Sequence, residues 1–455
     1  MSSHSVKAKA FLKNTERASW HDRALYAVRD KRDKQAYSLP EGEKLRSAAS
    51  AIKEHTLCNL AHYLEELERN ATANGIKVHW AATAEEMNAI VARIIEERGA
   101  KRLVKSKSML AEECNLAPYL EQRGVEVVET DLGERIVQLM HCPPSHIVLP
   151  AIHIKREEVG ELFERELSTE KGNSDPTYLT HEARKHLREK FLSADVSMTG
   201  VNFAIASEGA FAVCTNEGNA DMGTSFTDTH IAIMGLEKVI PDVASLGVFT
   251  RLLARSATGQ PIKTYTSIYR KPEEGKELHL IIVDNGRTSS LANEAHRNML
   301  KCMRCGACMN TCPVYRRTGG YSYSYFIPGP LGINLGLLRS PEAYGGNVSG
   351  CSLCYSCSGV CPAKVDLAEQ IYKWRQQMAP LGVADAKKKM MVKMMNMLMR
   401  RPRLFNAALA AAPYIPRFVY NNGMNPWCAS GREMPHFAKQ SFRVLWSKGK
   451  IAKGE

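Results

Sequence analysis

Eight of the thirteen cysteines stand in two runs of one pattern. Cys302-Met-Arg-Cys305-Gly-Ala-Cys308-Met-Asn-Thr-Cys312-Pro313 and Cys351-Ser-Leu-Cys354-Tyr-Ser-Cys357-Ser-Gly-Val-Cys361-Pro362 both read C-x2-C-x2-C-x3-C-P. A cubane iron–sulfur cluster needs four soft thiolates, one for each iron. Three of them at two-residue gaps can wrap one corner of the cube. The fourth, after a longer gap and before proline, turns toward a second cluster. The spacing therefore predicts two [4Fe–4S] clusters with crossed ligands: Cys302, Cys305, Cys308 and Cys361 on one, and Cys351, Cys354, Cys357 and Cys312 on the other. Gly306, Ala307, Ser356 and Ser358 are small enough to leave room for the clusters and for backbone N–H···S bonds. Structural zinc would use two C-x2-C pairs and leave the third cysteine and the Cys-Pro step without a role.

The other five cysteines carry weaker signals. Cys58, Cys114 and Cys214 lie in apolar segments and read as core fillers. Cys142 sits near His141 and His146, either an ordinary loop or a loosely spaced ligand group. Cys428 reads as a tail residue.

The elements that must position this chemistry follow from periodicity. ALYAVRDKRDKQ and HTLCNLAHYLEELERNATANG repeat apolar residues at helical spacing, so residues 1–75 form a helical N-terminal region. IKVHWAAT, RLVKS and VEVVETD read as strands, alternating with the helices AEEMNAIVARIIEERG and SMLAEECNLAPYLEQRG. That alternation predicts a parallel, doubly wound sheet. The apolar runs HIVLPAIH, VNFAIAS, AFAVCT, THIAIMG and LHLIIVD continue it, with helices over 155–200, so residues 76–290 form one α/β domain. SSLANEAHRNMLKC is a short helix delivering the chain to a ferredoxin-type domain over 291–380. The 38 residues between the cysteine runs, including GGYSYSYFIPGPLGINLG, read as a packed loop. A basic helical and extended tail fills 381–455.

Composition bounds the rest. Hydrophobic residues make up 44% and charged residues 24%, ordinary for a soluble globular chain. No apolar stretch approaches a bilayer span. The N-terminus MSSHSVKAKAFLKNTERASWHDR has no hydrophobic run and reads as no secretory signal, so the expected compartment is the cytoplasm. There, thirteen cysteines are metal ligands, redox thiols or fillers rather than a disulfide framework. The net charge is +13, but residues 384–455 hold 14 Lys/Arg against 3 Asp/Glu. Basicity thus belongs to the tail rather than to the whole fold, and eight cysteines in paired ferredoxin spacing speak against nucleic acid as partner. In ADAKKKMMVKMMNMLMR, Met391, Met394, Met395 and Leu398 share a helical face. That face could pack on a core, dock on a partner or make peripheral contact with an anionic membrane. AAPYIPRF and NNGMNPW, broken by proline, read as an extended wrap.

A ligand pocket in such a sheet belongs at the carboxyl ends of its strands. The turns IASEGAF (205–211) and TNEGN (215–219) are placed there, setting Glu208, Glu217 and Asn219 beside glycines. The alternative is that both glutamates only cap turns. RLVKSKS at 102–108 ends a strand with basic and hydroxyl residues, suited to a carboxylate or phosphate or to a solvated turn. No GxGxxG and no P-loop is present.

With these motifs in view, the chain resembles the lactate-utilisation protein B family. The matching residues are ETDLGE at 129–134, HisIle at 146–147 with LeuPro following, FAIA at 203–206, TNEGN at 215–219, SATGQ at 256–260, VDNGR at 283–287 and both cysteine runs. The resemblance implies an LUD α/β domain, related to the sugar-phosphate isomerase/CoA-transferase fold, followed by an α-helical ferredoxin-like two-cluster domain. In the related transferases a glutamate in such a turn is catalytic. It also implies partners, namely a cysteine-rich-domain protein and a second LUD protein, in a set that oxidises L-lactate to pyruvate. Lactate oxidation removes two electrons, and a cubane carries one at a time. The expected role is therefore electron transfer, with hydride-equivalent chemistry in a partner. The alternative is a self-sufficient oxidoreductase with a carboxylate or acyl pocket in the LUD domain.

Overall fold

The computed structural model describes residues 4–378, 386–422, 425, 428 and 433–449. The chain divides into two compact units, 1–378 and 379–455. In the first unit ten strands run β1 (Lys77–Ala81), β2 (Arg102–Lys105), β3 (Glu126–Glu129), β4 (Val196–Gly200), β5 (Phe203–Ile205), β6 (Ala210–Thr215), β7 (Thr229–Gly235), β8 (Val239–Ile240), β9 (Tyr265–Tyr269) and β10 (Glu277–Val283).

Six of them form a fully parallel sheet in the order β1-β10-β7-β4-β2-β3. β7 lies near its middle, and every residue of THIAIMG is buried, as expected for a strand covered on both faces. On one face the helix Ala84–Glu97 sets Met87, Val91 and Ile95 against Leu103, Ile231 and Ile281. Thr83 starts that helix by accepting the Glu86 N–H. On the other face the helix Leu60–Ala73 packs Leu64 and Leu67 near Ala232 and Leu280.

The remaining four strands make a second sheet, β8-β5-β6-β9, which the sequence reading did not separate from the first. β6 is antiparallel to β5 and β9. Period and length alone do not tell which sheet a three-residue apolar strand joins. The helix Val243–Ala257 covers it, with Phe203 stacked on Phe249 at 4.9 Å.

Several expected elements differ. SMLAEECNLAPYLEQRG is two helices, Met109–Glu113 and Leu116–Glu121, because Asn115 is left-handed at φ 55°. The helix expected over 55–75 breaks at Asn59. HIVLPAIH contains no strand; its residues pack on the cysteine-rich domain instead. SSLANEAHRNMLKC is a helix, Arg287–Ala292, followed by a 3-10 turn, Arg297–Lys301. The second half of the expected loop between the cysteine runs is a helix, Gly329–Arg339, with Pro330 in its first turn.

The N-terminal helices brace the cysteine-rich domain. Thr15–Tyr37 packs on the helices Ala307–Thr311, Pro313–Thr318 and Val243–Ala257. His21 Nδ1 lies 2.8 Å from the Arg316 carbonyl, and Arg32 donates to the Val360 carbonyl at 3.0 Å.

The second unit holds the helices Ala386–Met399, Pro402–Ala411, Arg417–Tyr420 and Phe442–Ser447. Of the residues that share one face of the first helix, Met391, Met394 and Met395 are exposed and Leu398 is half-buried. AAPYIPRF is a 3-10 turn running into a short helix rather than an extended wrap, since proline is tolerated in a first turn. Most of NNGMNPW lies outside the described residues. No helix among the described residues is long and apolar enough to cross a membrane.

Candidate metal centre and adjoining cavity

The two cysteine runs fold alike. The 3-10 turn Arg297–Lys301 leads into Cys302; Arg304 (φ 59°) and Gly306 (φ 76°) then turn the chain left-handed before the helix Ala307–Thr311. In the second run Leu353 (φ 55°) and Tyr355 (φ 60°) take the same places before the helix Ser356–Val360. This conformation aims backbone N–H groups at sulfur. Arg304 N lies 3.4 Å from Cys302 Sγ and Leu353 N 3.3 Å from Cys351 Sγ. The fourth cysteines match as well, with Tyr315 N 3.4 Å from Cys312 Sγ and Val365 N 3.2 Å from Cys361 Sγ. The two short helices pack on each other, and Thr311 and Ser356 share a hydroxyl hydrogen bond across the seam.

Charge coupling reports which thiols are neighbours. Burial, then Cys361 and Cys302, push the Cys305 thiol up to about 12. Cys308 is raised further by burial, by Cys302, Cys305 and Cys361, and by Cys357 of the other run. Burial, then Cys351 and Cys354, push Cys312 up to about 11 against two backbone N–H groups that pull it down. Burial, then Cys312, Cys351 and Cys354, push Cys357 up to about 12. Cys302, Cys305, Cys308 and Cys361 thus form one set, and Cys312, Cys351, Cys354 and Cys357 the other. The sets meet through Cys308 and Cys357.

The donors suit a cubane rather than one ion. Crowded, buried thiols become thiolates only when cations join them, and four thiolates per set is what a [4Fe–4S] cluster takes. Cations also border the second run: Arg46 donates to the Gly359 and Cys361 carbonyls and Arg375 to those of Val348 and Cys351. Cys305 and Cys308 are buried, whereas Cys354 is exposed beside an exposed Tyr355.

Next to the first set a cavity of about 500 Å³ opens at the carboxyl ends of β2, β4 and β7, the expected place in such a sheet. Ser106, Lys107 and Ser108 enter it from the end of β2, Glu217 and Asn219 from the 215–219 turn, and Arg304 and Cys305 from the first cysteine run. Glu217 Oε2 accepts the Leu132 N–H at 3.0 Å. The protein around the Glu217 carboxyl and the nearby Asp131 charge push its pKa upward, though the residue keeps solvent access, which tempers the shift. Asn219 is buried and donates to Thr130 Oγ1 at 3.2 Å.

Glu208 is not in this cavity. Its turn belongs to the β5–β6 hairpin of the second sheet and packs on the helix Leu60–Ala73, where Asn70 and Asn74 donate to the Ala206 and Glu208 carbonyls. Its carboxylate lies 3.6 Å from Arg270. Lys105 does not line the cavity either; it is buried between Glu129 at 2.7 Å and Glu112 at 3.4 Å. His146 Nδ1 accepts the N–H groups of Val148 and Leu149 and its Nε2 pairs with Asn310, so it forms no ligand group with His141 and Cys142. Cys58 is exposed, contrary to its reading as core; Cys114 is buried and Cys214 half-buried on the cavity wall. Lys238 and Lys263 also line the cavity. Nothing local in the sequence singled them out, because only the fold gathers them.

Residues 64–288 match the LUD domain and residues 298–365 the 4Fe-4S dicluster domain. The chain is 42% identical to lactate utilization protein B of Geobacillus kaustophilus (strain HTA426) over 422 residues, 89% of this chain and 88% of that protein. It is 40% identical to lactate utilization protein B of Bacillus pumilus (strain SAFR-032) over 426 residues, 90% and 89% of the two chains. It is also 38% identical to the uncharacterized electron transport protein YkgF of Escherichia coli (strain K12) over 432 residues, 92% and 90%.

Proposed function

The chain belongs to the lactate utilization protein B family, and from that premise we propose that it is the electron-transfer subunit of a multi-protein system oxidising L-lactate to pyruvate. A role in lactate utilization with electron transfer rests on the relatives and on the 4Fe-4S dicluster domain. The observation that carries the finer reading is the gathering of eight thiols into two matching sets. Cys302, Cys305, Cys308 and Cys361 would hold one [4Fe–4S] cluster and Cys312, Cys351, Cys354 and Cys357 the other. Bound clusters supply one-electron redox chemistry. The protein's part is to hold each set rigid, aim N–H groups at sulfur and exclude water from Cys305 and Cys308 while leaving Cys354 near the surface. An exposed edge at the second set favours exchange with another protein there.

The partners that suit this role are a cysteine-rich-domain protein and a second LUD protein, with lactate oxidised outside this subunit. The exposed methionines of the basic helix Ala386–Met399 supply apolar surface for docking one of them.

The test is to purify the chain anaerobically, count iron and sulfide, and record its EPR spectrum after reduction. About eight irons and the broadened signal of two interacting clusters are expected. About four irons, or zinc, would defeat the reading.

A further inference from the structure

The two thiol sets stand in different electrical surroundings. Cys305 shares the cavity wall with Lys238, Lys263 and Arg304. Lys238 stands between β7 and β8 and Lys263 ahead of β9, so separate segments bring them to this wall. Both are half-buried, and among the described residues neither forms an ion pair or a hydrogen bond. The Cys302 charge acts on Lys238 and on the buried Lys53, and the Cys305 charge on Lys263, more strongly than Asp131 does. Two further cations meet the end of the second run, whose last thiol belongs to the first set. Arg32 donates to the Val360 carbonyl at 3.0 Å and Arg46 to that of Cys361 at 3.1 Å. Of the wall carboxylates, Glu113 and Glu237 are both taken up by Arg287. Around the second set the corresponding cation is Arg375, which donates to the Val348 carbonyl at 2.9 Å and whose charge acts on Cys351. An iron–sulfur centre that accepts an electron gains negative charge, so cations beside it favour the reduced state while burial opposes it. Burial is offset on the Cys305 side, where the cavity sets polar and charged groups against the thiols.

We propose that Lys238 and Lys263 make the first set the electron sink of this chain: an electron received at the exposed Cys354 edge passes from the second set to the first and rests there, beside the cavity. The second set gives up one electron, the first gains one, and no bond or proton moves. The reductant at the Cys354 edge is the redox partner protein of the electron-transfer reading. The inference rests on that reading and adds to it a direction of flow and two residues that set it.

The experiment is a potentiometric titration of the anaerobically purified, iron-loaded full chain, read by EPR with and without a soluble dysprosium chelate. The chelate relaxes spins close to the surface and so marks the signal of the second set. As the potential is lowered, the first signal to appear in the parent should be the one the chelate leaves unchanged. Lys238→Gln and Lys263→Gln should each move that signal about threefold to tenfold toward the oxidised state at a fixed potential, a lowering of up to about 59 mV for a one-electron couple. Iron content and the chelate-sensitive signal should stay as in the parent. The exposed Lys185→Gln should shift neither signal. The two lysines lie on different segments, so a variant that fails to hold iron leaves the other, and the parent's own order, to decide. A chelate-sensitive signal that appears first, or a protected signal that neither lysine variant moves, would overturn the proposal. With about eight irons present, that result leaves the electron-transfer reading standing; about four irons would overturn both.

Discussion

Arg46 hydrogen-bonds the carbonyl of Cys361 across 315 positions of sequence, through Nε at 3.1 Å and Nη2 at 3.0 Å. The same guanidinium reaches the Gly359 carbonyl at 2.7 Å. An N-terminal helix thereby holds the end of the second cysteine run, at the residue whose thiol turns to the first run. Arg46→Ala leaves these carbonyls at a helix end without their donor, which costs about 1–3 kcal/mol. A lower melting temperature and faster iron loss to a chelator are expected, with partial recovery in Arg46→Lys. Iron retention equal to the parent's would show that the strap is dispensable.

Crossed pairing makes a sharper prediction. Cys312→Ser should resemble Cys354→Ser in its reduced EPR spectrum, because both thiols belong to one set. Cys361→Ser should instead resemble Cys305→Ser. Spectra that pair Cys312 with Cys305 would mean that each run holds its own cluster.

Gly306 and Tyr355 occupy matching left-handed positions in different surroundings. A Cβ on Gly306 would lie 3.0 Å from Val148 and 3.1 Å from His146, while Tyr355 is exposed. Gly306→Ala adds backbone strain and crowding, about 1–3 kcal/mol. It should lower iron occupancy of the first set. Tyr355→Gly relaxes its position and should keep full iron; equal iron loss in both variants would refute the asymmetry.

Arg287 sits between two carboxylates, bidentate on Glu113 at 3.0 Å and 2.5 Å from Glu237. Burial would raise the Glu237 carboxyl, but Arg287, Lys238 and Arg304 outweigh it and hold it down to about 2. A depressed folded pKa stabilises above the unfolded value, and that contribution is lost as pH falls from about 4.5 toward 2. Arg287→Met strands both carboxylates and should cost about 3–5 kcal/mol near neutral pH. In the variant Glu237 has lost the strongest of the cations that depress it, so less of its contribution is left to lose. The stability gap between parent and variant in urea titrations should therefore narrow as pH falls from about 4.5 toward 2. A constant gap would mean that Glu237 is not what Arg287 neutralises.

The metal chemistry was legible from residue order alone. Thiolate number and the two-, two- and three-residue gaps are local quantities, and the turns at Arg304, Gly306, Leu353 and Tyr355 are local too. The parallel sheet was legible for a similar reason, since its buried strands are continuous apolar runs of fixed length. Other features depended on which distant segments meet. Glu208 and Glu217 stand in similar glycine turns, yet one turn packs against the helix Leu60–Ala73 and the other opens on the cavity, because their strands feed different neighbours. Asn115 and Asn59 break helices that apolar spacing would continue. His146 looked like a ligand by its neighbours in sequence and is a backbone acceptor by its neighbours in space. Lys238, Lys263 and Arg304 share no motif. They meet at one cavity because the carboxyl ends of parallel strands and the first cysteine run converge there, and convergence of chain ends is a property of packing, not of local order.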